Sequence, residues 1–310
     1  MNHFSKRRRQ LLLAAASAGL PLSQVAAFVN ESDPIDSVPQ LAVCLGSGGK
    51  HGYAHIGAIR AFDRLGLKPD IVCGTSAGAI AGVLWAAGHG ADAIEKIVNE
   101  ADWYTQRLPR IPMLGIGKLD SLRELIDRHV GHKRIESLPT RFAAVATDLD
   151  TGQPILLDKG PTGQVVAASA SVPLRYEPVT IGGKRLVDGA LSAPIPVDAA
   201  HAIGARFAVA VDVAYRPYEE PVSGISDVAF QTFHIMVNRL IEEQIKRADF
   251  AIRLDVHEVM RGDDVLSNVI RAGEGAVHQH WPELKRALSR VGFEAVGQGS
   301  WLEAQTYTVG

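Results

Sequence analysis

The chain has 310 residues and a formal charge of −2 with histidine neutral. That near-neutral balance offers no basic field for nucleic acid and no acidic tail. Apolar residues make up 46% of it, enough for a sizeable core in one large domain or two small ones.

Residues 1–27 read as an export signal. Lys6-Arg7-Arg8-Arg9 is a basic start, Leu11 to Leu20 a short apolar stretch, and Val25-Ala26-Ala27 a small-residue cleavage site. Arg8-Arg9-Gln10-Leu11-Leu12 resembles a twin-arginine signal, which implies a periplasmic protein. An uncleaved anchor is the alternative, although Pro21, Ser23 and Gln24 interrupt the span. Residues 28–40 read as a polar linker.

Leu41 to Leu45 is an all-apolar strand candidate. It runs into Gly46-Ser47-Gly48-Gly49-Lys50-His51-Gly52, and Tyr53 to Leu65 follows as an amphipathic helix closed by Gly66. Such a loop presents several backbone N–H groups to an anion. A P-loop needs Ser or Thr after the lysine, and a dinucleotide fingerprint needs glycine at 51; both find His51. An oxyanion hole suffers from neither mismatch. His51 and His55 stand four apart, as metal ligands can, but no acidic partner accompanies them.

Ile71-Val72-Cys73 reads as a second buried strand and Ala77 to Ala87 as an apolar helix ended by Gly88. Between them lies Gly74-Thr75-Ser76-Ala77-Gly78, a G-x-S-x-G nucleophile elbow that holds Ser76 at a helix N-terminus. Cys44 and Cys73 both lie in strand-like runs and read as small core residues; a disulfide needs those strands to be neighbours.

Helices are expected over Ala91 to Gln106 and Leu119 to Val130. Between them, Arg107 to Gly117 is a proline- and glycine-rich loop, a candidate lid or lipid-contact segment. Phe142 to Thr147 and Ile155 to Leu157 read as strands, Gln164 to Ala170 as a small-residue helix. Val179 to Ile181 and Arg185 to Val187 form a hairpin that ends at Asp188-Gly189-Ala190. Then come a helix at Val197 to Ile203, a strand at Phe207 to Val211 and a long amphipathic helix at Asp227 to Ala248. A strand at Ile252 to Val256 and a helix at Glu274 to Val291 close the chain, and residues 297–310 read as a frayed tail. Strands alternating with helices indicate a mostly parallel sheet covered on both faces.

Acyl transfer by serine needs a nucleophile, a base and donors for the oxyanion. Ser76 supplies the nucleophile, and the Gly48 and Gly49 N–H groups are candidate donors. The base has two readings. A triad would use a histidine after the acid, with His201, His234, His257, His278 and His280 available. A dyad would use Asp188 directly, which requires burial to raise a pKa that is ordinarily near 4.

Four blocks in order resemble the bacterial branch of the patatin-like phospholipase family. They are Gly46 to Gly52 running into Ala54-His55-Ile56-Gly57, the Ser76 elbow, Ala168-Ser169-Ala170-Ser171-Val172-Pro173, and Asp188-Gly189-Ala190 with Pro194 and Pro196 after it. The resemblance covers roughly Leu41 to Arg290 and implies a three-layer α/β/α domain over residues 41–296. It implies a Ser76–Asp188 dyad with Gly48 and Gly49 as oxyanion donors. It also implies hydrolysis of phospholipid or lysophospholipid esters without metal or cofactor, and is compatible with peripheral membrane contact. Ser47 and His51 depart from the family loop, which usually carries glycine and a fixed cation there. A catalytically weak lipid-binding protein of the same fold is therefore the alternative, beside a Ser-His-Asp esterase of another fold.

Overall fold

The computed structural model describes residues 40–100, 119–214, 222–254 and 264–293. The segment read as an export signal, most of the expected linker, Trp103, Tyr104, the expected loop from Arg107 to Gly117, His257 and residues 294–310 lie outside the described residues.

Among the described residues eight strands make one sheet: β1 (Leu41–Leu45), β2 (Ile71–Thr75), β3 (Arg141–Asp148), β4 (Pro154–Leu157), β5 (Val179–Ile181), β6 (Lys184–Asp188), β7 (Phe207–Asp212) and β8 (Phe250–Arg253). Their order is β5-β6-β3-β2-β1-β7-β8, with β4 also paired to β3. Strands β3, β2, β1, β7 and β8 run parallel, while β4, β5 and β6 join antiparallel at the β3 end. The chain leaves β1 toward β2 and β3, then returns to its other side with β7. β1 therefore stands at a topological switch point, where loops beyond the strand ends leave a crevice.

Eight helices among the described residues cover the sheet: α1 (Tyr53–Arg64), α2 (Ala77–Ala86), α3 (Ala91–Glu100), α4 (Asp120–His129), α5 (Thr162–Ser169), α6 (Val197–Ala202), α7 (Ile225–Gln244) and α8 (Val265–Arg290). The strands alternate between the two faces as their period of two requires. Leu41, Val43, Leu45, Val209 and Val211 enter the larger core, under α1 to α5 and α8. Ala42, Cys44, Ala208 and Ala210 enter the smaller one, with Val197 of α6 and Val237 and Ile241 of α7. This is the three-layer α/β/α arrangement expected from the alternation.

The last strand starts two residues earlier than the sequence suggests and ends at Arg253. A larger difference lies in α8, which starts at Val265, nine residues before the expected Glu274. Gly273 and Gly275 lower local helix propensity there. Tertiary packing overrides them: a Cβ on Gly273 would fall on the Ala54 carbonyl oxygen of α1, and one on Gly57 of α1 on the Ile270 carbonyl oxygen. The two helices cross backbone to backbone through this glycine pair. The Asp264 side chain caps the start by accepting from the Ser267 N–H at 3.4 Å.

Candidate active site

The strand register brings the two candidate catalytic groups together. Thr75 of β2 pairs with Val145 of β3, and Ala146 of β3 pairs with Asp188 of β6. Ser76 and Asp188 therefore face each other across the end of β3.

Ser76 has φ 55° and ψ −118°, a left-handed conformation that non-glycine residues rarely adopt. The flanking glycines do not carry the positive φ. They answer a need for space. A Cβ on Gly78 would fall inside the Leu45 carbonyl, and one on Gly74 would lie 2.5 Å from the Ala79 Cα. Helix α2 thus starts hard against the end of β1. The strained serine is held by a buried relay: its N–H donates to Ser169 Oγ at 3.0 Å, and Ser169 Oγ donates to the Val145 carbonyl at 2.6 Å.

Ser76 Oγ donates to Asp188 Oδ2 at 2.6 Å, and nothing stands between them. Asp188 Oδ1 accepts from the Ala190 N–H at 2.8 Å. The aspartate is 1% exposed and the serine 7%. Burial pushes the Asp188 carboxyl up to about 6, against the opposing pull of the Ser76 and Ala190 hydrogen bonds. The carboxylate that seemed too weak a base in the sequence is thus brought within reach of neutral pH by desolvation. Its backbone is fixed by Thr147 Oγ1, which donates to the Asp188 carbonyl at 2.9 Å, and by its own N–H, which donates to Ser171 O at 2.9 Å.

The loop after Asp188 is clamped from two sides. Thr75 Oγ1 donates to the Ala193 carbonyl at 2.8 Å. Gln244 of α7 donates through Nε2 to Ser192 O at 2.8 Å and accepts from the Ile195 N–H at 3.0 Å.

The glycine loop lies against the same elements. The Gly46 N–H donates to Val211 O at 3.0 Å and the Ser47 N–H to Pro194 O at 2.8 Å. His55 Nε2 donates to Gly46 O at 2.7 Å, and burial lowers this imidazole to about 4, so it is neutral and keeps that tautomer. Gly48 takes φ 180° and ψ 2°, and Gly49 takes φ 53°. Among the described residues neither of their N–H groups donates to a protein atom. At the far end of the loop, a Cβ on Gly52 would clash with the Ala77 Cβ, so the loop is packed directly beside the elbow.

His51 is buried in this loop and faces two groups from elsewhere. His234 of α7 is pushed down to about 4 by burial, then by the His51 and Arg175 charges. The Arg175 guanidinium stands 5.1 Å over the Phe230 ring, and the Phe233 ring meets His234 edge-on at 5.5 Å. Position 51 thus carries a buried imidazole where a fixed cation was expected, and the Arg175 charge acts on His234.

Besides His234, three described downstream histidines have partners of their own. His201 Nδ1 bonds Ala205 O, His280 Nδ1 bonds Ala276 O, and His278 lies beside Glu274. Cys44 and Cys73 are register partners on β1 and β2, yet both are free and buried, and burial raises both thiols, that of Cys73 to about 12.

A family model described as Patatin-like phospholipase matches residues 43–201, more than half of the chain. The chain belongs to the patatin-like phospholipase family. The matched span holds all four sequence blocks and both members of the Ser76–Asp188 pair. Among curated patatin-like relatives, an uncharacterised NTE family protein of Mycobacterium bovis is 33% identical over 183 residues, which is 57% of this chain and 50% of that protein. Neuropathy target esterase sws of Drosophila melanogaster is 27% identical over 181 residues, 56% of this chain and 13% of its own. The chain thus spans half or less of the length of these relatives. VipD from Legionella pneumophila superposes with a TM-score of 0.47 at 13% identity, over 79% of this chain and 67% of that one.

Sequence reasoning about this patatin-like site missed Ser169, Thr75, Thr147 and Gln244. Ser169 and Thr75 left a signal, since they lie in the third block and in the elbow. The others act through hydroxyl or amide contacts across more than forty residues, which no local pattern marks.

Proposed function

We propose that the chain is a serine acyl hydrolase acting on carboxylic esters of lipids, phospholipids or lysophospholipids. Ser76 is the nucleophile, Asp188 the general base, and the Gly48 and Gly49 N–H groups the oxyanion donors. The observation that carries this reading is the direct 2.6 Å bond from Ser76 Oγ to a buried carboxylate raised to about 6.

As Ser76 Oγ attacks the ester carbonyl, its proton passes to Asp188 Oδ2 and the carbonyl oxygen becomes the oxyanion. Collapse breaks the ester C–O bond, and the leaving alcohol takes the proton from Asp188. Water then attacks the acyl-serine, gives its proton to Asp188, and the fatty acid leaves as Ser76 recovers a proton. The Arg175 guanidinium, held over the Phe230 ring, offers positive charge to a phosphate headgroup.

The test is labelling with a fluorophosphonate probe, which reacts only with an activated serine. The folded wild-type protein should label at Ser76 and release fatty acid from lysophosphatidylcholine. Clean folded protein that neither labels nor releases fatty acid would be a lipid-binding relative instead.

The same geometry sets a pH dependence. The base works as carboxylate, so kcat/KM should fall as the pH drops through about 6. An acid limb near 4 in the pH–rate profile would show a solvated carboxyl and overturn the buried-base assignment.

A further inference from the structure

Among the described residues, three hydrogen bonds hold the start of the glycine loop. Two run from its backbone, the Gly46 N–H to Val211 O and the Ser47 N–H to Pro194 O. The third comes from a side chain: His55 Nε2 on α1 donates to Gly46 O at 2.7 Å. That carbonyl lies at a crowded junction. A Cβ on Gly46 would come within 2.5 Å of Ile195 Cδ1, and one on Gly78 of the elbow within 2.6 Å of Gly46 O. A Cβ on Gly48 would lie 2.8 Å from Val213 Cγ2, whereas one on Gly49 would meet nothing within 4 Å. The loop is thus wedged between the end of β7 and the elbow through Gly48, and it opens at Gly49.

Packing alone does not account for a histidine at position 55. The side chain is fully buried, and its Nδ1 has no protein hydrogen-bond partner among the described residues. Its neighbours Ala54 and Ile56 belong to the larger core. A buried polar atom without a partner destabilises a fold, and an aliphatic residue would fill the same place without that loss. What the imidazole adds is the bond made by its other nitrogen. Gly46 O and the Ser47 N–H belong to one planar peptide unit. His55 holds the oxygen end of that plane, and Pro194, from the loop after Asp188, holds the nitrogen end. The next two peptide units carry the Gly48 and Gly49 N–H groups, so the tilt of the clamped plane sets where those two begin.

We propose that His55 is a positioning residue for the oxyanion hole: by fixing the Gly46–Ser47 peptide it aims the Gly48 and Gly49 N–H groups at the developing oxyanion. The inference rests on the acyl-hydrolase reading above and adds a residue that acts only through the loop. Donors held in place before the reaction stabilise the oxyanion without reorganising, and that advantage is lost when the clamped plane can swing.

The experiment compares His55→Gln, His55→Asn and His55→Leu in hydrolysis of p-nitrophenyl butyrate, with end-point fluorophosphonate titration counting the reactive serines. Glutamine carries an N–H donor with about the reach of Nε2, and asparagine carries the same amide one methylene short. Per titrated serine, kcat should fall by about a hundredfold in the asparagine and leucine variants, with KM within about threefold of wild type and the glutamine variant within about tenfold of wild-type kcat. Inhibition by a trifluoromethyl ketone, whose adduct puts an oxyanion in the same hole, should weaken by the same factor as kcat/KM. A role in folding alone would lower the count of titrated serines and leave kcat per serine unchanged. That result, or asparagine equal to glutamine, overturns this inference alone. The asparagine variant carries the test should the leucine variant not fold. Absence of both labelling and turnover in the wild-type protein overturns the acyl-hydrolase reading and this inference with it.

Discussion

Asp188→Asn is expected to remove ester turnover while making the folded chain more stable above pH 6. Asparagine keeps the acceptor for the Ala190 N–H and fills the same volume, but it takes no proton from Ser76. Loss of a general base lowers the rate by roughly 10²- to 10⁴-fold. Ser76→Ala should match it, because nucleophile and base act as one unit and their losses are not additive.

The stability gain follows from the sign of the pKa change. Unfolded, this carboxyl titrates near 3.8; folded, at about 6. Below about 4 both states hold the proton and the group contributes its full stability. As the pH rises from about 4 to about 6, the unfolded chain has released the proton while the folded chain still holds it, so stability falls, by up to about 3 kcal/mol. Above 6 the loss is constant. Asparagine cannot ionise, so the variant should unfold at a temperature several degrees above wild type at pH 7.5 and level with it at pH 4. Thermal unfolding at the two pH values checks this. An inactive variant with no gain at pH 7.5 would mean that Asp188 is not desolvated.

Gly57→Ala should lower stability by about 3 kcal/mol or more, the upper range for overpacking against backbone. The new methyl would fall on the Ile270 carbonyl, 2.7 Å from the Glu274 nitrogen and 2.9 Å from the Ile270 carbonyl carbon. None of these is a flexible side-chain end, so α8 must move off α1 as a body. Gly275→Ala, in the same helix, provides the contrast. Nothing lies within 4 Å of its new methyl, and alanine is the better helix former, so that change should be neutral or stabilising by up to about 1 kcal/mol. Equal effects in urea unfolding would show that helix propensity, and not the crossing, governs Gly57.

Much of this architecture was legible because its signals are local. The apolar runs at Leu41, Phe142 and Phe207 stand alone as strands, and Ser76 announces itself by two close glycines. The residues left Asp188 as one of two readings of the base, and only the resemblance chose its pairing with Ser76, since 112 residues separate them. The start of α8 was hidden because Gly273 weakens the helix locally and is required by Ala54, more than two hundred residues earlier. The same applies to Ser169: its role depends on Val145 and Ser76 meeting across the sheet.

The clamp made by Gln244 ties distant parts of the chain into one opening unit. Its amide holds Ser192 O and the Ile195 N–H at once, so α7 cannot lift from the sheet without freeing both. Thr147 and Thr75 grip the same loop from the strand side. Fraying of α7 near its C-terminal end would therefore expose buried amides beyond Asp188 in a single cooperative step, and hydrogen exchange at Ile195 would share the free energy of opening α7. A helix that touches neither the serine nor the aspartate thus decides how long the pair stays dry.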